Sequence, residues 1–271
     1  MSLLVASLNS GSNGNCYYVG NDHDAVLIDA GISCRETEAR MARLGLSMRK
    51  VRGIFISHEH SDHIRGLTVL AKKYSLPVYI TPLTLLHSGL QLDAGLLRTF
   101  SADAALHLNS LTVTPFHKMH DAAEPHSFTI ACQNVKVGVF TDLGVVCENL
   151  IANFQQCHAV FLEANYDEDM LERGGYPYHL KRRIRGGKGH LSNTQALALF
   201  EGYRPDFMSH LFLSHLSKDN NCPDLALDLF KSRAGETEII VASRYAETGL
   251  YHITGSHQTS SSTLNMQFSL F

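Results

Sequence analysis

Residues 56–66 read ISHEHSDHIRG, which places His58, His60, Asp62 and His63 within six positions. Imidazole and carboxylate donors at that density suit zinc, with manganese or iron as alternatives. His58 and His60, at i and i+2 on a loop leaving an apolar run, can converge on one ion. Asp62 and His63, at the turn into the next element, can then face a second ion beside it. One such histidine is ordinarily a surface polar residue on a loop. HxHxDH directly after a buried strand points to metal chemistry instead.

Neighbouring elements must hold this cluster. Residues 51–56 read as a buried strand, and Asp62 is expected to cap a helix whose apolar face is Ile64, Leu67, Leu70, Ala71 and Tyr74. Upstream, LLVASL, CYYVG and AVLIDAG are short strands joined by glycine-rich turns. Ser33 and Glu36 have capping-box spacing, so a helix covers about 34–45. Downstream, PVYI is a strand and Thr81-Pro82 opens a helix. LTVTPF, SFTIAC and VKVGVF restore β character, the last two joined by a hairpin turn at Gln133-Asn134. Beyond 145, helices near 145–156, 193–203 and 223–233 alternate with the strands AVFLEA, FMSHLFLSH, TEIIVAS and LYHI. This pattern predicts an α/β sandwich, two sheets covered by helices. A single domain is expected over 1–255, with a polar tail over 256–271 whose FSLF is able to add a strand.

Composition narrows the classes further. The 271 residues are 44% hydrophobic, ample for a core. A net charge of −3 argues against coating nucleic acid or membrane by global electrostatics, while leaving room for a local basic patch. Six scattered cysteines without CxxC spacing read as reduced thiols of a cytoplasmic protein. The opening MSLLVASLNSGSNGN lacks a basic n-region, and no stretch approaches the roughly 18 apolar residues of a membrane span. The sixteen histidines are the compositional anomaly, and they are dispersed rather than tag-like.

ISHEHSDHIRG resembles the signature loop of the metallo-β-lactamase-fold superfamily, and AVLIDAG resembles the strand and turn that precede it there. The resemblance implies an αββα sandwich of two mixed β-sheets flanked by helices. It also implies two metal sites completed by a later histidine, a bridging aspartate after a strand and a final histidine. His120 in KMHDAAEP, Asp142 in VFTDLG and His215 in LFLSHLS stand at those positions in order. The implied arrangement has His58, His60 and His120 on one ion, Asp62, His63 and His215 on a second, and Asp142 between them. His117 or His126 stays open in place of His120, and His210 in place of His215. Two such ions are expected to hold a hydroxide of lowered pKa and to polarise the scissile group, which is hydrolysis.

The substrate is approached through GGKGHLSNTQA at 186–196. Ser192 and Gln195 have capping-box spacing, so His190 lies just before a helix N-terminus whose free N–H groups suit a phosphate. From there His190 can protonate a leaving oxygen; the plainer reading is a loop histidine packing the helix start. GHLSN resembles the GHS/T motif of tRNase Z-type phosphodiesterases, and LEA at 162–164 resembles their glutamate motif. That makes Glu163 an orienting partner for His190, against the plainer reading of an ordinary hydrogen-bonded carboxylate. Arg173, Lys181, Arg182, Arg183, Arg185 and Lys188, with Tyr176 and Tyr178 among them, suit backbone phosphates and stacked bases, although a charge run is ordinarily a solvated face. NSGSNGN at 9–15 is a hairpin turn near the metals, or a phosphate contact through Ser10, Ser12 or Asn15. Arg244 in SRY is a further candidate to reach substrate.

GSNGNCYYV, SHEHSDHIRGL, HDAAEP, TDLG, LEANYD, KGHLSN and LSHLSKDNN together resemble the YycJ/WalJ group of this superfamily, cytoplasmic bacterial nucleases with 5′-exonuclease activity on DNA. No inserted module of the ribonuclease J type and no tRNA-grasping arm is evident. The expectation is a phosphodiesterase using two divalent ions on nucleic acid, DNA rather than RNA, with Asp62, His190 and Glu163 in catalysis. Substrate contacts are expected at Ser10, Asn15, Arg182, Arg183, Arg185, Lys188, Ser192 and Arg244. The alternatives are an ester or thioester hydrolase of the hydroxyacylglutathione hydrolase type, and a non-catalytic metal-binding regulatory partner.

Overall fold

A computed structural model describes residues 2–255. Strands β1 (Leu3–Asn9), β2 (Cys16–Gly20), β3 (Ala25–Ile28), β4 (Val51–Phe55), β5 (Val78–Tyr79) and β6 (Leu97–Arg98) belong to the first sheet. The second sheet is built from β7 (Leu106–Leu108), β8 (Leu111–His117), β9 (His126–Cys132), β10 (Val135–Phe140), β11 (Ala159–Glu163), β12 (His210–Ser214) and β13 (Glu238–Val241). The chain then returns, and β14 (Tyr251–Ile253) pairs with β1. The sheet orders are β14-β1-β2-β3-β4-β5-β6 and β13-β12-β11-β10-β9-β8-β7. Both sheets are mixed: β3 to β6 pair in parallel, as do β10 to β13, while β1–β2 and β8–β9 are antiparallel.

The two sheets face each other, and alternation along each strand feeds three apolar layers. Leu3, Val5, Tyr17, Val19 and Phe55 point inward to meet Val113, Phe128, Val137 and Phe161 between the sheets. The intervening Leu4, Cys16, Tyr18 and Ile54 pack outward with Met41, Leu67 and Leu70. Those last three lie on α1 (Cys34–Arg43) and α3 (Leu67–Tyr74), with α2 (Ser61–Ile64) just before α3. On the far side, Phe140, Val160, Leu162 and Leu211 pack with side chains of α5 (Glu148–Phe154), α8 (Asn193–Tyr203) and α9 (Pro223–Lys231). Strands buried on both faces read as nearly continuous apolar runs, which is why the sequence shows little strict alternation. The αββα sandwich is as expected.

Several local expectations also hold. Ser33 caps α1 by accepting from Glu36 N, and Thr81 caps α4 (Pro82–Ser88) by accepting from Thr84 N. The turn at 133–134 pairs Cys132 with Val135, with Gln133 at φ 53°. Others need correction. Asp62 does not cap a helix: the N-cap position is His60, without a side-chain cap bond, and Asp62 lies in the first turn of α2. That helix stops after four residues and α3 begins anew past Gly66, where a Cβ would stand 1.9 Å from Ile32 O. Backbone approaches as closely at Gly31, where a Cβ would stand 1.6 Å from Asp62 O. The short β6 and β7, α6 (Glu168–Arg173) and α7 (Tyr178–Ile184) were not anticipated, and part of the basic strip forms α7. All six cysteines are free thiols, and no helix of the described residues is long and apolar enough to cross a membrane. The expected tail and its FSLF strand lie outside the described residues.

Candidate metal centre and active site

The candidate ligands leave the same rim of both sheets. β3 runs into Asp29, β4 into Ser57 and His58, β10 into Asp142, β11 ends on Glu163, and β12 runs into His215. Sites outside the carboxyl ends of parallel strands are where α/β folds present side chains to ligands. Asp29, Asp142 and His215 have φ of 63°, 56° and 56°, a left-handed conformation that side chains other than glycine adopt at a cost.

Three groups of donor atoms, each within 4.8 Å of one another, result: His58, His60 and His120; Asp62, His63 and His215; and His58, His63 and Asp142. Asp142 reaches toward both sets, its Oδ2 lying 3.3 Å from His63 Nε2 and its Oδ1 3.8 Å from His120 Nε2. A fourth group joins Asp142, Glu163, His190 and His215. An open cavity of about 320 Å³ is lined by His60, Asp62, His120, Asp142, His190 and His215, with Ser12, Ser61 and Arg183 on its walls.

Each of four histidines is anchored through Nδ1. His58 meets Ser57 Oγ at 2.9 Å, His63 meets Asp29 Oδ2 at 2.7 Å, His120 meets Gly189 O at 3.0 Å and His215 meets Glu163 Oε1 at 3.0 Å. Anchoring one ring nitrogen fixes the tautomer and offers the other to a metal. His58 Nε2 stands 3.0 Å from His60 Nδ1, two acceptors facing one point. His120 Nε2, His215 Nε2 and Asp142 Oδ2 are buried without hydrogen-bond partners. Orphaned buried polar atoms are costly, and cations held by the two donor sets would satisfy them, so the residues present fit a metal centre.

The electrostatics agree. Burial, reinforced by His63 and Lys118, keeps the His58 ring well below its usual pKa, in the neutral state a ligand needs. Burial likewise lowers His120 to about 4. At His63 and His215 burial opposes the charged ring, but Asp142 and further carboxylates outweigh it, and His215 is raised to about 10. Burial works against the carboxylates too, yet His63 and His215 hold Asp62 at about 2, and His190 and His215 hold Glu163 at about 2. A pocket with this excess of carboxylate favours bound positive charge.

Glu163, fully buried, is the hub behind this rim. Its Oε1 lies 2.8 Å from His190 Nδ1, and its Oε2 accepts from Leu143 N at 2.7 Å and Leu191 N at 3.1 Å. The structure thus brings Glu163 and His190 together, with His190 Nε2 left to face the cavity. His117, His126 and His210 fall outside the ligand groups; His117 and His126 stack on each other, and His210 bonds Ser209.

Several expected substrate contacts stand elsewhere. Ser192 is fully buried, and its hydroxyl accepts from Gln195 N in a complete capping box. Ser192 N and Asn193 N are also bonded, so three of the N–H groups at that helix start already have partners. Ser10 is buried, its hydroxyl bonded to Tyr17 and accepting from His215 N. Asn15 is likewise buried, its amide donating to Asp62 Oδ2 at 3.2 Å. In the basic strip Arg183 pairs with Asp121, Arg185 with Glu172 and Arg173 with Asp169. Arg182, Arg183 and Lys188 nevertheless line an open groove of about 470 Å³ with Met119 and Asp121. Arg244 lies against Ser12, Nη2 to Oγ 3.5 Å.

Three residues escaped sequence reasoning. Asp29 anchors His63 and also accepts from Ser57 N and Oγ. Asn165 donates to His215 O, and buried Lys118 donates to Thr141 O beside Asp142. Asp29 was signalled only by a carboxylate at the end of an apolar strand.

The model of the β-lactamase superfamily domain matches residues 24–215. Exodeoxyribonuclease YycJ of Bacillus anthracis is 38% identical over 231 residues, covering 83% of this chain and 87% of that protein. Exodeoxyribonuclease WalJ of Streptococcus pneumoniae is 30% identical over 224 residues, covering 81% and 83%. Among solved structures, the metallo-β-lactamase fold protein YhfI of Bacillus subtilis superposes with a TM-score of 0.70 at 17% identity, covering 93% of this chain and 99% of YhfI.

Proposed function

The chain belongs to the β-lactamase superfamily, and from that premise we propose that it is a dinuclear metal-dependent phosphodiesterase that shortens DNA from an end, 5′ to 3′. One observation carries the reading: four histidines, each anchored through Nδ1, fall into adjoining groups of candidate donor atoms, with Asp142 reaching His63 on one side and His120 on the other. The choice of DNA is supported by two exodeoxyribonuclease relatives that match over four fifths of the chain.

His58, His60 and His120 would hold one divalent ion, zinc or manganese, and Asp62, His63 and His215 a second, with Asp142 between them. Ions there supply a water of lowered pKa and positive charge for the phosphodiester. The remaining work falls to this chain's own groups. Glu163 accepts a hydrogen bond from His190 Nδ1–H and so directs Nε2 at the cavity, where the ring, protonated on both nitrogens, donates its Nε2 proton to the leaving oxygen as the P–O bond breaks. Arg183 stands on the cavity wall and in the adjoining groove with Arg182 and Lys188, a path for the phosphates of the strand. Ser10, Asn15 and Asp29 keep the ligand side chains in place.

The test is incubation with zinc or manganese and labelled single- and double-stranded DNA and RNA, beside Asp142→Ala. Mononucleotide release from DNA that disappears in the variant is the expected outcome. Absence of any phosphodiester cleavage by protein with metal bound would overturn the proposal in favour of ester or thioester hydrolysis.

A further inference from the structure

The cavity at the metal centre has a polar donor on each of two sides. On the side of His120, Asp121 Oδ1 lies 3.4 Å from His120 Nε2, and Asp121 Oδ2 holds Arg183 Nε at 2.5 Å. On the side of Asp62, His63 and His215 stands Ser12, in the 9–15 loop whose Asn15 bonds Asp62 and His63 and whose Ser10 bonds His215 N. A strand laid across both ligand sets therefore meets one donor before the reacting phosphate and one after it.

The Ser12 side differs from the Arg183 side in its cation. Arg244, which follows β13, is stitched to the loop: its carbonyl accepts from Asn13 Nδ2 at 2.8 Å, and Ser243 O accepts from Ser10 N at 3.1 Å. Gly11, at φ +142°, lies against it, and a Cβ there would stand 3.3 Å from Arg244 Cβ. The Arg244 guanidinium reaches Ser12 Oγ through Nη2, while Nη1 is buried without a hydrogen-bond partner. Among the described residues no carboxylate pairs with Arg244, whereas Arg183 is already neutralised by Asp121. A guanidinium without a carboxylate partner favours an anion, and its Nη2, on the exposed side at Ser12, is where one can reach it.

We propose that Ser12 and Arg244 form the seat of the strand's terminal phosphomonoester, so that cleavage is measured from the end of the chain. The inference rests on the nuclease reading and deepens it. A terminal phosphate carries nearly twice the charge of an internal diester and an additional free oxygen, matched to a planar guanidinium and a hydroxyl. The remainder of the strand then leaves past Arg183 along the groove of Arg182 and Lys188.

Single-stranded oligonucleotides bearing a 5′-phosphate, a 5′-hydroxyl or a 3′-phosphate separate the possibilities, assayed with wild-type protein, Arg244→Ala, Arg244→Lys and Ser12→Ala. Wild-type protein is expected to favour one phosphorylated end by about tenfold or more in kcat/KM, on the scale of a hydrogen bond to a charged group. The preference is expected to collapse in Arg244→Ala, chiefly through KM, and to return in part in Arg244→Lys. Fluorescence anisotropy of the same oligonucleotides with metal chelated is expected to show the same discrimination in Kd. DNA cleavage indifferent to terminal phosphate, or a preference that survives both Arg244→Ala and Ser12→Ala, overturns the seat while the nuclease reading stands. Failure to cleave any of the substrates with metal bound defeats the nuclease reading itself; anisotropy without end discrimination then removes the seat as well.

Discussion

Glu163→Gln tests whether one buried carboxylate organises the site. The two oxygens of Glu163 face four donors: Leu143 N and Leu191 N at Oε2, and the Nδ1 atoms of His190 and His215 at Oε1. An amide can keep its oxygen toward only one of these pairs. If the backbone pair is kept, the new NH2 confronts both imidazoles, which must change tautomer or lose the contact. Each buried group left unsatisfied costs about 1–3 kcal/mol, so about 2–6 kcal/mol is expected for two. Against a total stability of about 5–15 kcal/mol, a loss at the lower end of that range leaves the variant folded. Its melting temperature should fall by at least about 4 °C. Metal affinity should drop about 10- to 100-fold, because His215 loses its anchor. Calorimetry with and without metal, with a metal titration, reads all three. A Glu163→Gln protein that melts and binds metal like wild type would refute the assignment of Glu163 as the hub.

His190→Ala is expected to keep its metal content, since His190 belongs to neither ligand triad, and to lose about 10²-fold or more in cleavage rate; metal analysis beside single-turnover kinetics checks both, and an unchanged rate would remove His190 from the chemistry. Reversing the charges of Arg182 and Lys188 should weaken DNA binding and flatten its salt dependence, read by anisotropy at several salt concentrations. Asp24 provides a test of pH dependence away from the site. Burial works to raise its carboxyl, but hydrogen bonds from Asn109, Arg52 and Ser110 hold it well below the usual carboxylate range. A lowered folded-state pKa stabilises above the unfolded value of about 3.9 and loses that contribution as pH falls below it. Asp24→Asn should therefore destabilise by about 1–3 kcal/mol at neutral pH, with the gap from wild type narrowing below about pH 4; a gap constant down to pH 3 would contradict this.

What the sequence discloses of this site follows from how local each contact is. His58, His60, Asp62 and His63 are visible because one loop carries them, and Asp142 and His215 because apolar strands end just before them. Asp29 is invisible in that sense: its partners Ser57 and His63 arrive from 28 and 34 residues away. Ser10 and Asn15 stand out in the sequence as part of a polar, glycine-rich loop, but their bonds to His215 N, Asp62 and His63 depend on how that loop folds against distant segments. The capping box of Ser192 and Gln195 is legible from their spacing, and it engages the N–H groups of those two residues, while Asn193 N is taken by Tyr166 O from a distant loop. The helix α2 ends early because Gly66 lets backbone pack against Ile32, a long-range contact that no helical periodicity encodes.

The two ligand sets have the same parentage. Each takes two side chains from the first sheet, His58 with His60 or Asp62 with His63, and one from the second, His120 or His215, while Asp142 comes from the second sheet alone. Neither sheet by itself presents a complete set, so the centre is a clasp across the sandwich. Ion binding should therefore be felt as cohesion between the halves of the molecule: at a hundredfold excess over Kd it adds about 2.7 kcal/mol to global stability. Chelation should lower the melting temperature of the whole chain cooperatively.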